Sequence, residues 1–136
     1  MGPRGEKTSS AKANLTRPHP ATEVRPSLRL DFNGIFRLGP GKIELLERIM
    51  ETGSISAAGR AMDMSYRRAW LLVDSLNQMF VEPAVIKTTG GVAGGGAEVT
   101  EFGRRLVAAY RAVEKRVARE AASVFSSFQI RMPEEK

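Results

Sequence analysis

GSISAAGRAMDMSYRRAWLLVDSLN, residues 53–77, is the stretch on which the fold turns. Ser54 suits an N-cap, because its hydroxyl can accept a free backbone N–H at the start of a helix. Ile55, Ala58 and Met62 then fall on one face at helical spacing. The small residues Ala57, Ala58 and Gly59 let a second helix approach closely. The first helix runs out at Asp63 and Met64, and Ser65 offers a second N-cap. From there Ala69, Leu72, Val73, Leu76 and Phe80 form the inward stripe of a longer helix. Two short helices joined by a tight turn are the pattern of a helix-turn-helix, whose second helix enters the DNA major groove with its N-terminal residues near base edges. That end carries Ser65, Tyr66, Arg67 and Arg68. Cations there oppose the helix macrodipole, so two arginines cost stability unless a polyanion lies against them. Arginine is also the commonest specific reader of guanine. The plainer reading is a solvated helical hairpin with two surface arginines.

The chain has 136 residues, enough for one domain with appendages, and its 42% hydrophobic share supports a modest core. No apolar run reaches membrane-spanning length and no signal-peptide h-region stands near the start. With no cysteine, neither a disulfide framework nor a thiolate metal site can form. The expectation is a cytoplasmic protein. The formal charge of +6 is unevenly spread. Residues 1–27 and 100–136 each carry an excess of three bases, whereas residues 28–99 hold eight charges of each sign. Within that neutral stretch the signs separate. Asp31, Glu44, Glu47 and Glu51 precede the helix-turn-helix, while Arg60, Arg67, Arg68 and Lys87 lie within or after it. One basic face is therefore compatible with zero net charge.

Residues 1–27 are rich in Pro, Ser, Thr, Ala and bases and nearly free of large aliphatics, so they read as a disordered basic tail. Such a tail either strengthens DNA binding without sequence preference or is simply a solvated leader. His19, the single histidine, stands between prolines with no second ligand for a metal. Leu28, Leu30 and Phe32 alternate with charged residues as a short strand. Asn33-Gly34 turns it, and residues 35–38 return as its partner. Pro40 suits a first helical turn, Ile43, Leu46, Ile49 and Met50 make an apolar stripe, and Gly53 supplies the C-cap.

Beyond Phe80, residues 81–84 break the helix and the β-branched residues 85–89 read as a strand. Gly90, Gly91, Gly94, Gly95 and Gly96 follow, and residues 97–99 form the partner strand. A hairpin directly after the second helix is the wing of a winged helix. Its glycines allow close backbone approach and exposed N–H contact with phosphates. No Gly-Lys-Ser/Thr follows, which excludes a Walker loop, and no βαβ unit supports a dinucleotide fingerprint. Thr100 caps the last helix, with Glu101 in its first turn. Phe102, Leu106, Tyr110, Val113, Val117, Val124 and Phe128 recur at threes and fours. That stripe is longer than one small domain covers, which argues for a partner helix from a second copy. Packing against the first helix and the wing is expected on other turns.

The residues 53–58, the segment Ser65-Tyr66-Arg67-Arg68-Ala69-Trp70, the wing glycines and the pair Thr100 and Gly103 together resemble the N-terminal domain of ModE-type molybdate-responsive transcription regulators. The likeness runs from about residue 28 to 128. LysR-type regulators share the style of the first helix but lack this wing. The resemblance implies a mainly α fold with a small β-hairpin: a winged helix-turn-helix over residues 28–99, a long dimerisation helix over 100–130, and a tail at 131–136. The implied partner is double-stranded DNA, bound by a homodimer seamed along Leu106, Tyr110, Val113, Val117 and Val124. Ser65, Tyr66 and Arg67 would meet bases or flanking phosphates, with Arg68 beside them on the backbone. Ser54, Arg60, Lys87, Thr88 and the wing glycines would hold the backbone, and burial is the better expectation for Trp70. The family's C-terminal molybdate-binding β-barrels have no counterpart in these residues, so molybdate or tungstate is not expected to bind directly, and no cofactor is expected. A sequence-tolerant architectural DNA binder and an oxyanion-responsive regulatory subunit are the competing classes. An enzyme is the weakest, since no nucleophile–base set is visible.

Overall fold

Local capping chemistry sets the element boundaries in the computed structural model, which describes residues 15–20, 23–89 and 96–133. In chain order the elements are β1 (Leu15–Pro20), β2 (Leu30–Phe32), β3 (Phe36–Leu38), α1 (Pro40–Thr52), α2 (Ile55–Ala61), α3 (Tyr66–Met79), β4 (Val85–Thr88), β5 (Gly96–Val99), α4 (Glu101–Val124) and β6 (Gln129–Pro133). The strands form three antiparallel pairs, β1 with β6, β2 with β3 and β4 with β5. The described residues divide into two compact units, one within residues 27–115 and a second within residues 15–26 and 116–133.

In the first unit, Asn33 and Gly34 take positive φ of 54° and 70°. Ile35 N–H then closes the turn on Phe32 C=O at 3.0 Å, so β2 and β3 pair. Pro40 opens α1, and Gly53, left-handed at φ 70°, ends it by donating to Ile49 C=O at 2.8 Å. Ser54 Oγ accepts from Ala57 N–H to start α2, and Ser65 Oγ accepts from Arg68 N–H to start α3. Between them Asp63 takes φ 58° and Met64 N–H returns to Gly59 C=O at 2.9 Å. A Cβ on Gly59 would lie 3.0 Å from the Ala69 Cβ, which is why α2 and α3 can pack so closely there.

One core joins these helices to the hairpin. Ile43, Leu46 and Ile49 of α1, Ile55 and Ala58 of α2, and Ala69, Val73 and Leu76 of α3 meet Val85, Ala97 and Val99 of β4 and β5. Val107 and Tyr110 close it from α4. The hairpin is anchored at three points. Asn77, near the end of α3, accepts from Ala84 and Val85 N–H at 2.8 and 3.1 Å and donates to Val85 C=O at 2.9 Å. Across the unit, Ala97 N–H donates to Gly53 C=O at 3.0 Å, which ties β5 to the junction between α1 and α2. Thr100 Oγ accepts from Gly103 N–H at 3.0 Å and donates to Pro83 C=O at 2.7 Å, so the cap of α4 also grips the base of the hairpin.

Three expectations need correction. Tyr110, assigned to a dimer seam, is 2% exposed, and its hydroxyl donates to Leu28 C=O at 2.7 Å within the same unit. The inward face of α4 is Gly103, Val107 and Tyr110, rotated from the stripe that spacing alone suggested. Second, α4 stops at Val124 rather than near residue 130, and Phe128 and much of the expected tail lie in a turn and in β6. Third, the N-terminal stretch is not wholly without structure, because Leu15–Pro20 pairs antiparallel with Gln129–Pro133, an irregularity separating Leu15 from Arg17. The composition argument concerned burial, and Pro18 and His19 are indeed exposed. It did not bear on backbone pairing, which a two-stranded ribbon supplies without a core and which tolerates proline at its edges.

Candidate nucleic-acid interface

The start of α3 presents Ser65, Tyr66, Arg67 and Arg68, all exposed. The Ser65 hydroxyl oxygen is engaged in the cap but keeps an O–H to donate, and the half-buried Ser54 is in the same position at the start of α2. Arg60, exposed in the last turn of α2, donates to Ser56 Oγ at 2.9 Å. Its charge suits a helix C-terminus, whereas Arg67 and Arg68 sit against the dipole.

Ion pairs concentrate on the α1 side of the unit. Arg48 bridges Glu44 and Glu51 at 3.2 and 3.0 Å. Arg111 holds Glu47 with two hydrogen bonds, 3.0 and 2.7 Å, and reaches Glu114 at 2.6 Å. That fork keeps the Glu47 carboxyl below its ordinary range, against the opposing effect of burial, and holds the Arg111 guanidinium still more firmly protonated. Arg29 and Arg37 flank Asp31, and Arg105 approaches Glu82. Among the described residues, Arg60, Arg67, Arg68 and Lys87 meet no carboxylate. Residues 28–99 are therefore neutral by count and polarised by arrangement.

Lys87 on β4 lies with its ammonium 4.5 Å from the centre of the Trp70 ring. Trp70, half-buried, donates its indole N–H to the Tyr66 phenol oxygen, and the two rings meet edge-on at 85°. The first turn of α3 and the hairpin are thus brought together through one indole. Thr88 is half-buried at the end of β4. Gly96 has a packing reason to be glycine: a Cβ there would stand 2.8 Å from Gly53 C=O and 3.1 Å from Thr88 Oγ1. Gly90, Gly91, Gly94 and Gly95 lie outside the described residues. Sequence reasoning missed Asn77 and the Arg111–Glu47 fork. Asn77 carried a faint signal, an amide at a helix end shortly before Pro83, but the fork joins residues 64 apart and left none.

No helix among the described residues is long and apolar enough to cross a membrane, and no group of three His, Asp or Glu there is arranged to hold a metal ion. No protein-family model matches the chain. It is 40% identical over 94 residues to the molybdenum transport protein ModE of Azotobacter vinelandii, covering 69% of this chain and 35% of that protein. It is 43% identical over 94 residues, with the same coverage, to the molybdenum-pterin-binding protein MopB of Rhodobacter capsulatus. Over 71 residues, 52% of this chain and 27% of the relative, it is 39% identical to the DNA-binding transcriptional dual regulator ModE of Escherichia coli K12. Over these stretches the chain is a homologue of the ModE and Mop proteins, resembling their ModE-type N-terminal domain. It spans about a third of the length of the first two of these curated relatives. The names of these relatives describe transport, binding and regulation rather than catalysis.

Proposed function

We propose that this chain is a winged helix-turn-helix module of a ModE-type transcription regulator, binding double-stranded DNA as a homodimer. In this reading α2 and α3 are the helix-turn-helix, β4 and β5 the wing, and the start of α3 the part that enters the major groove. The observation that carries it is the unpaired basic edge. Arg67 and Arg68 stand at a helix N-terminus with no carboxylate among the described residues, while arginines on the α1 side are forked onto acids. An unfavourable dipole position without a compensating acid fits a polyanionic ligand. The regulator names among the homologues support the same reading. A module of this kind acts in the cytoplasm, on the genome, and molybdate has no assigned ligand in it.

Binding of wild type and Arg67→Ala to an enriched duplex and to a random one tests this reading. Loss of about 1–3 kcal/mol on the enriched duplex, with relaxed base preference, is the expected result. Equal weakening on both duplexes would reassign Arg67 to phosphate contact. Unchanged binding on both would take α3 out of the interface.

A further inference from the structure

We propose that Trp70 is a positioning residue that holds the Tyr66 phenol and the Lys87 ammonium as one donor pair for a DNA backbone phosphate. The inference rests on the DNA-binding reading above and assigns this part of the surface its ligand chemistry.

The first half of the argument is the phenol. Tyr66 is 55% exposed, and its oxygen already accepts the Trp70 indole N–H. Among the described residues its own O–H has no acceptor, so the hydroxyl is left to donate outward. The second half is the ammonium. Lys87 sits over the indole face and meets no carboxylate among the described residues. A carboxylate would fix the lysine by neutralising it, whereas the ring quadrupole fixes it and leaves the charge to act outward. A long lysine side chain loses rotamer freedom when it grips a ligand, and a chain already held loses less.

Both outward groups are donors. Among base edges in the major groove only guanine offers two acceptors with no donor, whereas every phosphate presents acceptors alone. The pair therefore matches a phosphate. Because Tyr66 comes from α3 and Lys87 from β4, the indole also fixes helix and hairpin relative to each other at the point of contact. Phosphate contact leaves base reading to Arg67.

The test uses the full chain and a fluorescein-labelled duplex of random sequence, suitable because phosphate contact is independent of sequence. Anisotropy is followed across a salt series for wild type, Tyr66→Phe, Lys87→Gln, Lys87→Arg, Trp70→Phe and the Trp70→Phe/Lys87→Gln double variant. Lys87→Gln should lower the salt slope by about one, and Lys87→Arg should restore it. Trp70→Phe should weaken binding about fivefold, and the double variant should be weaker than Lys87→Gln by less than about twofold, since coupled residues are not additive. Trp70 is the single tryptophan, so its emission reports this site directly. Duplex should change that emission in wild type and Lys87→Arg, and much less in Lys87→Gln or Tyr66→Phe. Those last variants keep Trp70, so the emission decides the matter even where Trp70→Phe does not fold. Additive losses, or an emission change that persists in both Lys87→Gln and Tyr66→Phe, would overturn the positioning role alone. A Tyr66→Phe loss seen on an enriched duplex but not on a random one would make the phenol a base reader and overturn the phosphate assignment. A wild-type chain that binds no duplex would remove the DNA reading itself.

Discussion

Individual side chains divide into those that local sequence explains and those that only the fold explains. Ser54 and Ser65 were legible because a cap reaches only three residues ahead, to Ala57 and Arg68. Tyr110 was not, because its hydroxyl meets Leu28 C=O 82 residues away, and spacing on a helix cannot say which apolar face turns inward. The Arg111–Glu47 fork was equally hidden, and it carries a pH signature. Glu47 has its pKa lowered in the folded chain, chiefly by the hydrogen bonds from Arg111. A carboxyl depressed on folding stabilises the fold above its unfolded value, near 4.5, and that contribution fades as pH falls through the lower folded value. Glu47→Gln should therefore reduce stability at neutral pH and flatten the loss on acidification below about pH 4.5. Chemical denaturation of both chains across that range checks it. Equal acid slopes would mean the fork contributes nothing differential.

At the scale of elements, most of the framework could be read ahead of the structure. Helices α1, α2 and α3 and the pairs β2–β3 and β4–β5 follow from periodicity, caps and turn residues within a few positions of each other. The end of α4 and the β1–β6 pair did not, since residues far apart in the chain pair there. How the hairpin is held against the helices was also invisible, and it rests heavily on Asn77. Its amide satisfies two backbone N–H groups and one C=O at the base of β4. Asn77→Ala would leave those groups short of partners, at about 1–3 kcal/mol each where they stay dry. We expect a loss of about 2–4 kcal/mol overall, since water recovers part of it. Hydrogen exchange should locate the loosening in β4 and β5 more than in α1. A variant as stable as wild type would mean that Thr100 and the Gly53–Ala97 bond hold the hairpin alone.

For the molecule as a whole, the proposed function is that of a DNA-binding module acting in pairs. The proposed seam is narrower than spacing suggested. Tyr110 belongs to the core and Leu106 packs against it, whereas Val113 remains 39% exposed on α4. Val113→Asp should therefore leave the core folded while placing a charge where a second copy would desolvate it. Sedimentation at tens of micromolar should show a dimer for wild type and a monomer for this variant, with unchanged circular dichroism. A monomeric wild type would retire the homodimer. The central claim, sequence-specific recognition of double-stranded DNA, is tested most directly by one affinity ratio. A random duplex library is enriched on the full chain, and Kd is measured at near-physiological salt for the enriched duplex and for unenriched DNA. The account predicts binding to the enriched duplex at least about a thousandfold tighter. Equal affinities would make the chain a sequence-tolerant DNA binder, and no binding to either duplex would contradict the account outright.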